Sequence, residues 1–438
     1  MMEALVFILK FLFDNWWILL PFLFWQIIWE KYKSYKRVLF LKKRQYDYIE
    51  LKFPENITKT PKAMEEVINS LHGIAPDPIK DTNWLNLNIY GFVPRSYTFL
   101  IVAHDSKLRF FIRFPKELKD LIKSRIYSQY PEVKLIDTSD IMSLLPPAIP
   151  NSLFNCEIFD VRLSKEDSYP IRTYNYFESL SKEQQIDILS TFSEAAWKIS
   201  NKEWIIFQMF VLPVTAEDEE YAKKWVERGN KLINKLIGKK EEEKESILEE
   251  IEEFIINLLL APFREPVWKT KEEKSKEEFN IQKLTPGERE TIQLIHNKIS
   301  KLGFWCNIRV AYIATNDIFN ENKESRIFLI KSILKNFGQE NINSFEVNPL
   351  TLPSIKFSER RIFLIKRSAF YIFRNYLPTK LPNILVKKFK LKNLDKGFIL
   401  NSEELASLFH PPMKVIPPIG IERLPFKDIP PSSELPLI

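Results

Sequence analysis

Alternation of apolar and polar positions marks Tyr46 to Phe53, YDYIELKF, as a strand. Thr60-Pro61 then opens a helix with Thr60 as N-cap and Pro61 at its first position. Met64, Val67, Ile68 and Leu71 recur at helical spacing on its apolar face, and Gly73 ends it. Strands are expected near 85–92, 97–103 and Leu108 to Phe114, with Asp105-Ser106-Lys107 as the turn between the last two. Lys116 to Tyr130 reads as a helix with Leu118, Leu121, Ile122, Ile126 and Tyr130 inward, stopped by Pro131 and followed by strand Val133 to Ile136. That order is a split βαβ, ferredoxin-like layer.

Pro146, Pro147 and Pro150 mark a boundary, and a similar cycle follows it. Its parts are a strand near 157–163, a helix from Ser181 to Ile199 with Ser181 and Gln184 as a capping box, and the nearly all-apolar strand Trp204 to Val214. Thr285-Pro286-Gly287-Glu288 starts another helix, leading to strand Trp305 to Ala314, helix Lys323 to Phe337 and strand Ser344 to Val347. Residues 216–280 interrupt this second layer with Glu/Lys-rich sequence. The stripes Trp225, Leu232, Leu236 and Ile247, Leu248, Ile251, Phe254, Ile255, Leu258 predict two antiparallel helices turning near Gly238.

The N-terminal run from Ala4 to Trp29 has no alternation, and only Lys10 and Asp14 carry charge. As a helix it would reach roughly 39 Å, enough for a hydrocarbon core of about 30 Å. Trp16, Trp17, Trp25 and Trp29 suit an interface, and Pro21 is a kink that membrane helices tolerate. No basic segment precedes the run and no small-residue cleavage site follows it, against a cleaved signal peptide. Residues 31–44 then hold seven Lys or Arg, Lys31, Lys33, Lys36 and Arg37 among them, and no acid. By the positive-inside rule this collar predicts a single-pass protein of the cell membrane with a cytoplasmic body, its collar feeling anionic lipid.

The fold expected is therefore α+β: a transmembrane helix (1–30), a basic collar (31–44) and two ferredoxin-like layers (45–145 and 151–350), the second carrying a helical-hairpin insertion (216–280). A basic helix with capping segment (351–412) and a proline-rich strap (413–438) complete it. The formal net charge of +7 is uneven: the collar alone carries that much, and residues 356–396 hold twelve Lys or Arg against Glu359 and Asp395. The rest is acidic, so the basic ends are local features.

Candidate chemistry narrows the function. Two cysteines, Cys156 and Cys306, exclude a disulfide framework, and His72, His104, His296 and His410 show no ligand spacing. No phosphate-binding loop, dinucleotide fingerprint, zinc-protease helix or nucleophile elbow occurs. A non-enzyme without cofactor or metal is expected. One constellation suggests a ligand: Ser358 to Tyr376, SERRIFLIKRSAFYIFRNY. As a helix it sets Arg360, Arg367 and Arg374 seven apart on one stripe, with Arg361 and Lys366 beside them, and Ile362, Phe363, Phe370 and Phe373 largely opposite. Nucleic acid, a membrane or acidic partner, and plain solvation are all open for this face. Asn401 and Glu404 cap a short helix ended by Pro411-Pro412, and the extended strap follows.

Three stretches carry a family resemblance: Thr60-Pro61-Lys62-Ala63-Met64-Glu65 running to Leu71-His72-Gly73; Phe111-Ile112-Arg113-Phe114-Pro115 with Tyr127-Ser128-Gln129-Tyr130-Pro131; and Leu400 to Pro411 with the strap behind it. Here the chain resembles the membrane-proximal N-terminal region of conjugation-type, type IV secretion-like DNA-translocating ATPases of the HerA/TraG class. In such proteins a RecA-like motor follows the strap. The resemblance implies a membrane anchor and scaffold that docks a HerA/TraG-like ATPase on a separate chain, with DNA contact and self-association open. A membrane-tethered nucleic-acid binder using the basic helix is the alternative.

Overall fold

Alternation in the strands decides what each face of the sheet carries. The computed structural model describes residues 43–54, 59–73, 85–90, 95–178, 188–214, 224–237, 284–349, 359–377 and 397–411, with scattered helical positions between 25 and 40. Strands β1 (Tyr46–Lys52), β2 (Tyr97–His104), β3 (Lys107–Pro115) and β4 (Lys134–Thr138) come first. They are followed by β5 (Phe154–Leu163), β6 (Glu203–Pro213), β7 (Gly303–Thr315), β8 (Phe345–Pro349) and β9 (Phe398–Asn401). All nine lie in one sheet of order β4-β1-β3-β2-β6-β7-β5-β8, with β9 added to β7.

This corrects the expectation of two separate layers. The strand order of the first four is repeated by the next four, and the two sets meet edge to edge where β2 pairs antiparallel with β6, from Tyr97↔Val211 to His104↔Trp204. The joint follows from edge chemistry. β6 is apolar on both faces, and an open apolar edge is a liability that pairing removes. The stretch near 85–92 forms a π-helical turn, Asn86–Tyr90, instead of a strand. With β2 paired to β3 and β6, neither of its edges is open to another strand. Asp105 and Ser106 make the β2–β3 turn with φ of 50° and 56°, the left-handed pair a two-residue hairpin requires.

Helices α1 (Pro61–His72), α2 (Lys119–Gln129), α3 (Tyr174–Glu178), α4 (Ile188–Trp197), α5 (Lys224–Leu236), α6 (Pro286–Ser300), α7 (Asn316–Lys335), α8 (Glu359–Arg374) and α9 (Ser402–Leu408) complete the described elements. The larger core lies on one sheet face, where Ile49, Phe99, Phe110, Phe207 and Val310 meet α1, α2, α4, α7 and α9. The opposite face holds a smaller cluster in which Leu100, Phe111, Ile158, Ile206 and Ile313 meet α8 and the segment 141–149. The first insertion helix, α5, lies against α6, where Ile299 crowds Gly229. The second expected insertion helix lies outside the described residues.

No described helix is long and apolar enough to cross a membrane. Most of the run Ala4 to Trp29, with Trp16, Trp17 and Arg37 of the collar, falls outside the described residues. The transmembrane helix is therefore no part of the observed fold. Within the described positions Trp25 is exposed and stacks on Trp29 at 5.9 Å, Trp29 stacks on Tyr32 at 5.7 Å, and Lys36 lies over Tyr32 at 5.4 Å. Lys31 is exposed and Lys33 half-buried.

Candidate functional site

The basic helix forms as α8, and the sheet divides its cations into two groups. Ala369, Phe370 and Phe373 are buried against the second sheet face, with Tyr376 just beyond the helix. That docking turns Lys366 inward, to Glu157 at 3.2 Å and Asn155 at 3.2 Å, with Phe319 beneath its ammonium at 5.0 Å. Arg374 is drawn to the carbonyls of Leu145 and Pro146, donating to them at 2.7 and 2.6 Å, and so closes the turn at 141–144. Gln208 of the sheet donates to the Phe373 carbonyl at 3.0 Å. Lys366 and Arg374 are thus fastening groups. Arg360, Arg361 and Arg367 remain exposed, beside exposed Phe363, Leu364 and Tyr371, with Arg367 over the Phe363 ring at 5.9 Å. A basic, aromatic ridge is left facing outward.

A second polar constellation was not legible in the sequence. Every residue of α9 is buried, although Ser402, Glu403, Glu404 and Ser407 are polar. The expected Asn401/Glu404 capping box is present, and Glu404 is used again beyond it. Its carboxylate accepts from the Ile171 amide at 2.8 Å and from the Lys298 ammonium at 3.1 Å, both side chains of that pair being fully buried. Burial pushes its pKa up, against the pull of Lys298. Lys301 bridges Glu65 of α1 and Glu403 of α9, at 2.7 Å each. Burial would lower its pKa, but the two carboxylates outweigh burial and raise it. Tyr174 donates to Glu65, and Ser402 lies 3.1 Å from the same carboxylate. Through these groups α9 is fastened to both halves of the chain, and the backbone leaves at Pro411 from a fixed root. No local signal could have revealed this, since the partners lie between 102 (Lys301 and Glu403) and 337 (Glu65 and Ser402) residues apart.

His72 and the two cysteines take part in the packing of the fold. His72 contacts the Val214 carbonyl at 2.9 Å and the edge of Phe304. Burial pushes the Cys156 thiol up to about 12 and raises that of Cys306 as well, so neither is a thiolate at neutral pH. Among the described residues no group of His, Cys, Asp and Glu could hold a metal ion.

A search of curated proteins finds no match. The profile of a family described as a domain of unknown function, DUF8128, matches residues 38–421, from the collar through the sheet to the start of the strap, and the chain belongs to that family.

Proposed function

We propose that this protein is a non-catalytic scaffold of a conjugation-like, type IV secretion-like DNA-translocation machine, which docks a separate HerA/TraG-like ATPase through the strap beyond Pro411. The observation that supports this reading is the buried, ion-paired helix α9, which gives the strap a rigid root. A loaded linker needs such a root, because otherwise its attachment frays before its partner is moved. The basic collar, residues 31–44, supplies attraction to an anionic membrane surface. The motor partner rests on the family resemblance. Deleting residues 413–438 should leave the body folded and abolish co-purification with the ATPase. Full recovery of the ATPase by the truncated chain refutes the docking role of the strap.

The ridge of α8 favours a second reading, a tethered nucleic-acid binder. Replacing Arg360, Arg361 and Arg367 together should then reduce the salt slope of DNA affinity by about three. Lys366 and Arg374 are engaged within the fold, and their loss should act on stability first.

A further inference from the structure

The sheet forks beside β7. β5 pairs with β7 as far as Asp160↔Arg309, and β9 takes the same side from Cys306↔Phe398 onward. Between them Asn307 and Ile308 face the fork. β5 leaves along β8, where Arg162 stands opposite Glu346. Alternation puts Asp160, Arg162, Asn307 and Arg309 on the same, second face of the sheet. Asn307 is 5% exposed, Asp160 4% and Arg309 1%.

Asn307 donates its Nδ2 to Asp160 Oδ1 at 3.1 Å, which fixes the amide and turns Oδ1 away. That oxygen is buried with no hydrogen-bond partner among the described residues. The Nε and Nη2 atoms of Arg162 are likewise buried, without a partner among the described residues. Those two N–H groups form the edge of a guanidinium that grips two oxygens of an anion side-on. Arg309 lies 3.9 Å from the same Asp160 oxygen. Two guanidiniums therefore gather around one buried carboxylate, while Glu346 is exposed. Such donors and an acceptor have given up water without a replacement partner, which a fold tolerates only at a cost that a bound ligand would remove.

The unmet atoms specify a ligand. It must offer two acceptor oxygens to the Arg162 edge and donate one hydrogen bond to Asn307 Oδ1. An ionised carboxylate and sulfate accept only. A phosphate group whose second pKa lies near 6 keeps a proton on part of its population at neutral pH, and can do both. We propose that the fork between β5 and β9 is a binding site for a phosphate group, held side-on by Arg162 and read by Asn307. The group is inorganic phosphate or a phosphate monoester. Trp305, in T-shaped contact with Phe210 at 6.2 Å, stands two residues from Asn307 on the same face, where a nucleoside could add contact.

Calorimetric titration of the full chain with inorganic phosphate, adenosine monophosphate, sulfate and acetate tests this. Phosphate should bind saturably and at least tenfold more tightly than sulfate or acetate. Arg162→Lys, which keeps the charge and loses the paired edge, should weaken phosphate at least tenfold. Asn307→Ala should bring phosphate down to the sulfate level. The surface variant Arg360→Gln should bind as the parent does. Tighter binding of the monophosphate than of phosphate assigns the site to a nucleotide, and equal binding assigns it to the phosphate group alone. No saturable phosphate binding, equal affinity for sulfate, or an Arg162→Lys protein of unchanged affinity overturns the proposal. Failure here leaves the strap experiment untouched, because that experiment reads ATPase recovery.

Discussion

The Lys298–Glu404 pair offers a direct measure of what holds the root of the strap. Both side chains are fully buried, with the ammonium 3.1 Å from the carboxylate and 3.2 Å from the Tyr169 carbonyl. Lys298→Met keeps the volume and removes the charge. Glu404 would retain the amides of Ile171 at 2.8 Å and Asn401 at 2.9 Å but lose its only ammonium contact among the described residues. Breaking one side of a buried pair costs about 3–5 kcal/mol. At about 1.4 kcal/mol per decade, amide exchange across residues 402–409 should accelerate by roughly two to three and a half decades. The defect should depend on pH in a stated direction. A carboxyl whose folded pKa is raised contributes stability below its unfolded value and loses it as pH rises through the folded value. Removing Lys298 raises that value further, so the variant should be worse at pH 8 than at pH 5. Adding Glu404→Gln to Lys298→Met should recover at least about 2 kcal/mol, since neither position then carries a charge. Unchanged exchange at 402–409 in the single variant, or a double variant as damaged as the two singles summed, refutes the reasoning.

Three further outcomes follow from the geometry. A Cβ on Gly397 would lie 2.2 Å from the Trp305 ring and 2.7 Å from the Cys306 carbonyl, and that backbone oxygen cannot give way. Gly397→Ala should therefore cost about 1–3 kcal/mol, read as faster exchange in β9. Arg374→Ala should cost about 1–3 kcal/mol in urea unfolding through its two lost carbonyl bonds, whereas Arg367→Ala should stay within about 0.5 kcal/mol. Lys301, whose pKa is raised above 10.5, contributes stability that is complete below the unfolded value and lost as pH rises through the folded one. The parent should consequently lose more stability than Lys301→Met as pH rises beyond 10.5, measured as the difference in urea midpoint.

What the sequence revealed was local. The capping boxes at Thr285/Glu288 and Asn401/Glu404, the β2–β3 turn and the positions of most strands rest on neighbours a few residues apart. Thr60 does sit at the start of α1, though its hydroxyl makes no capping bond. Pairing between distant edges was not legible. The apolar run at Trp204 to Val214 announced a central strand, but nothing in it named β2 as its partner. Helical period placed Arg360, Arg367 and Arg374 on one stripe but could not say which end of the stripe would dock. The last turn of α8 approaches the carbonyls at 145–146 and takes Arg374 with it. The polarity of Ser402 to Ser407 reads as an exposed helix; Lys298 of α6, Lys301 just beyond it, and the amides of Ile171 and Tyr174 make its burial tolerable.

The chemistry of that seat bears on how a scaffold of this kind would work. A buried ion pair is often no more stabilising than apolar residues of the same volume. If stability alone were required, leucines would serve as well at 298, 404 and their neighbours. What the ionic seat adds is discrimination. Glu404 must meet Lys298, while Glu403 and Glu65 must share Lys301, so a segment displaced by one residue leaves charges buried and unmatched. The root of the strap therefore has one register. β9 reinforces it, because its four residues pair with Gly303 to Cys306 immediately before α9 begins. Partners on α1 and α6 come from opposite sides of the β2–β6 joint, so a load entering at Pro411 is divided between the two halves of the sheet instead of peeling one from the other. A scaffold that must present a docking segment in one position needs this combination of register and shared load more than it needs additional stability.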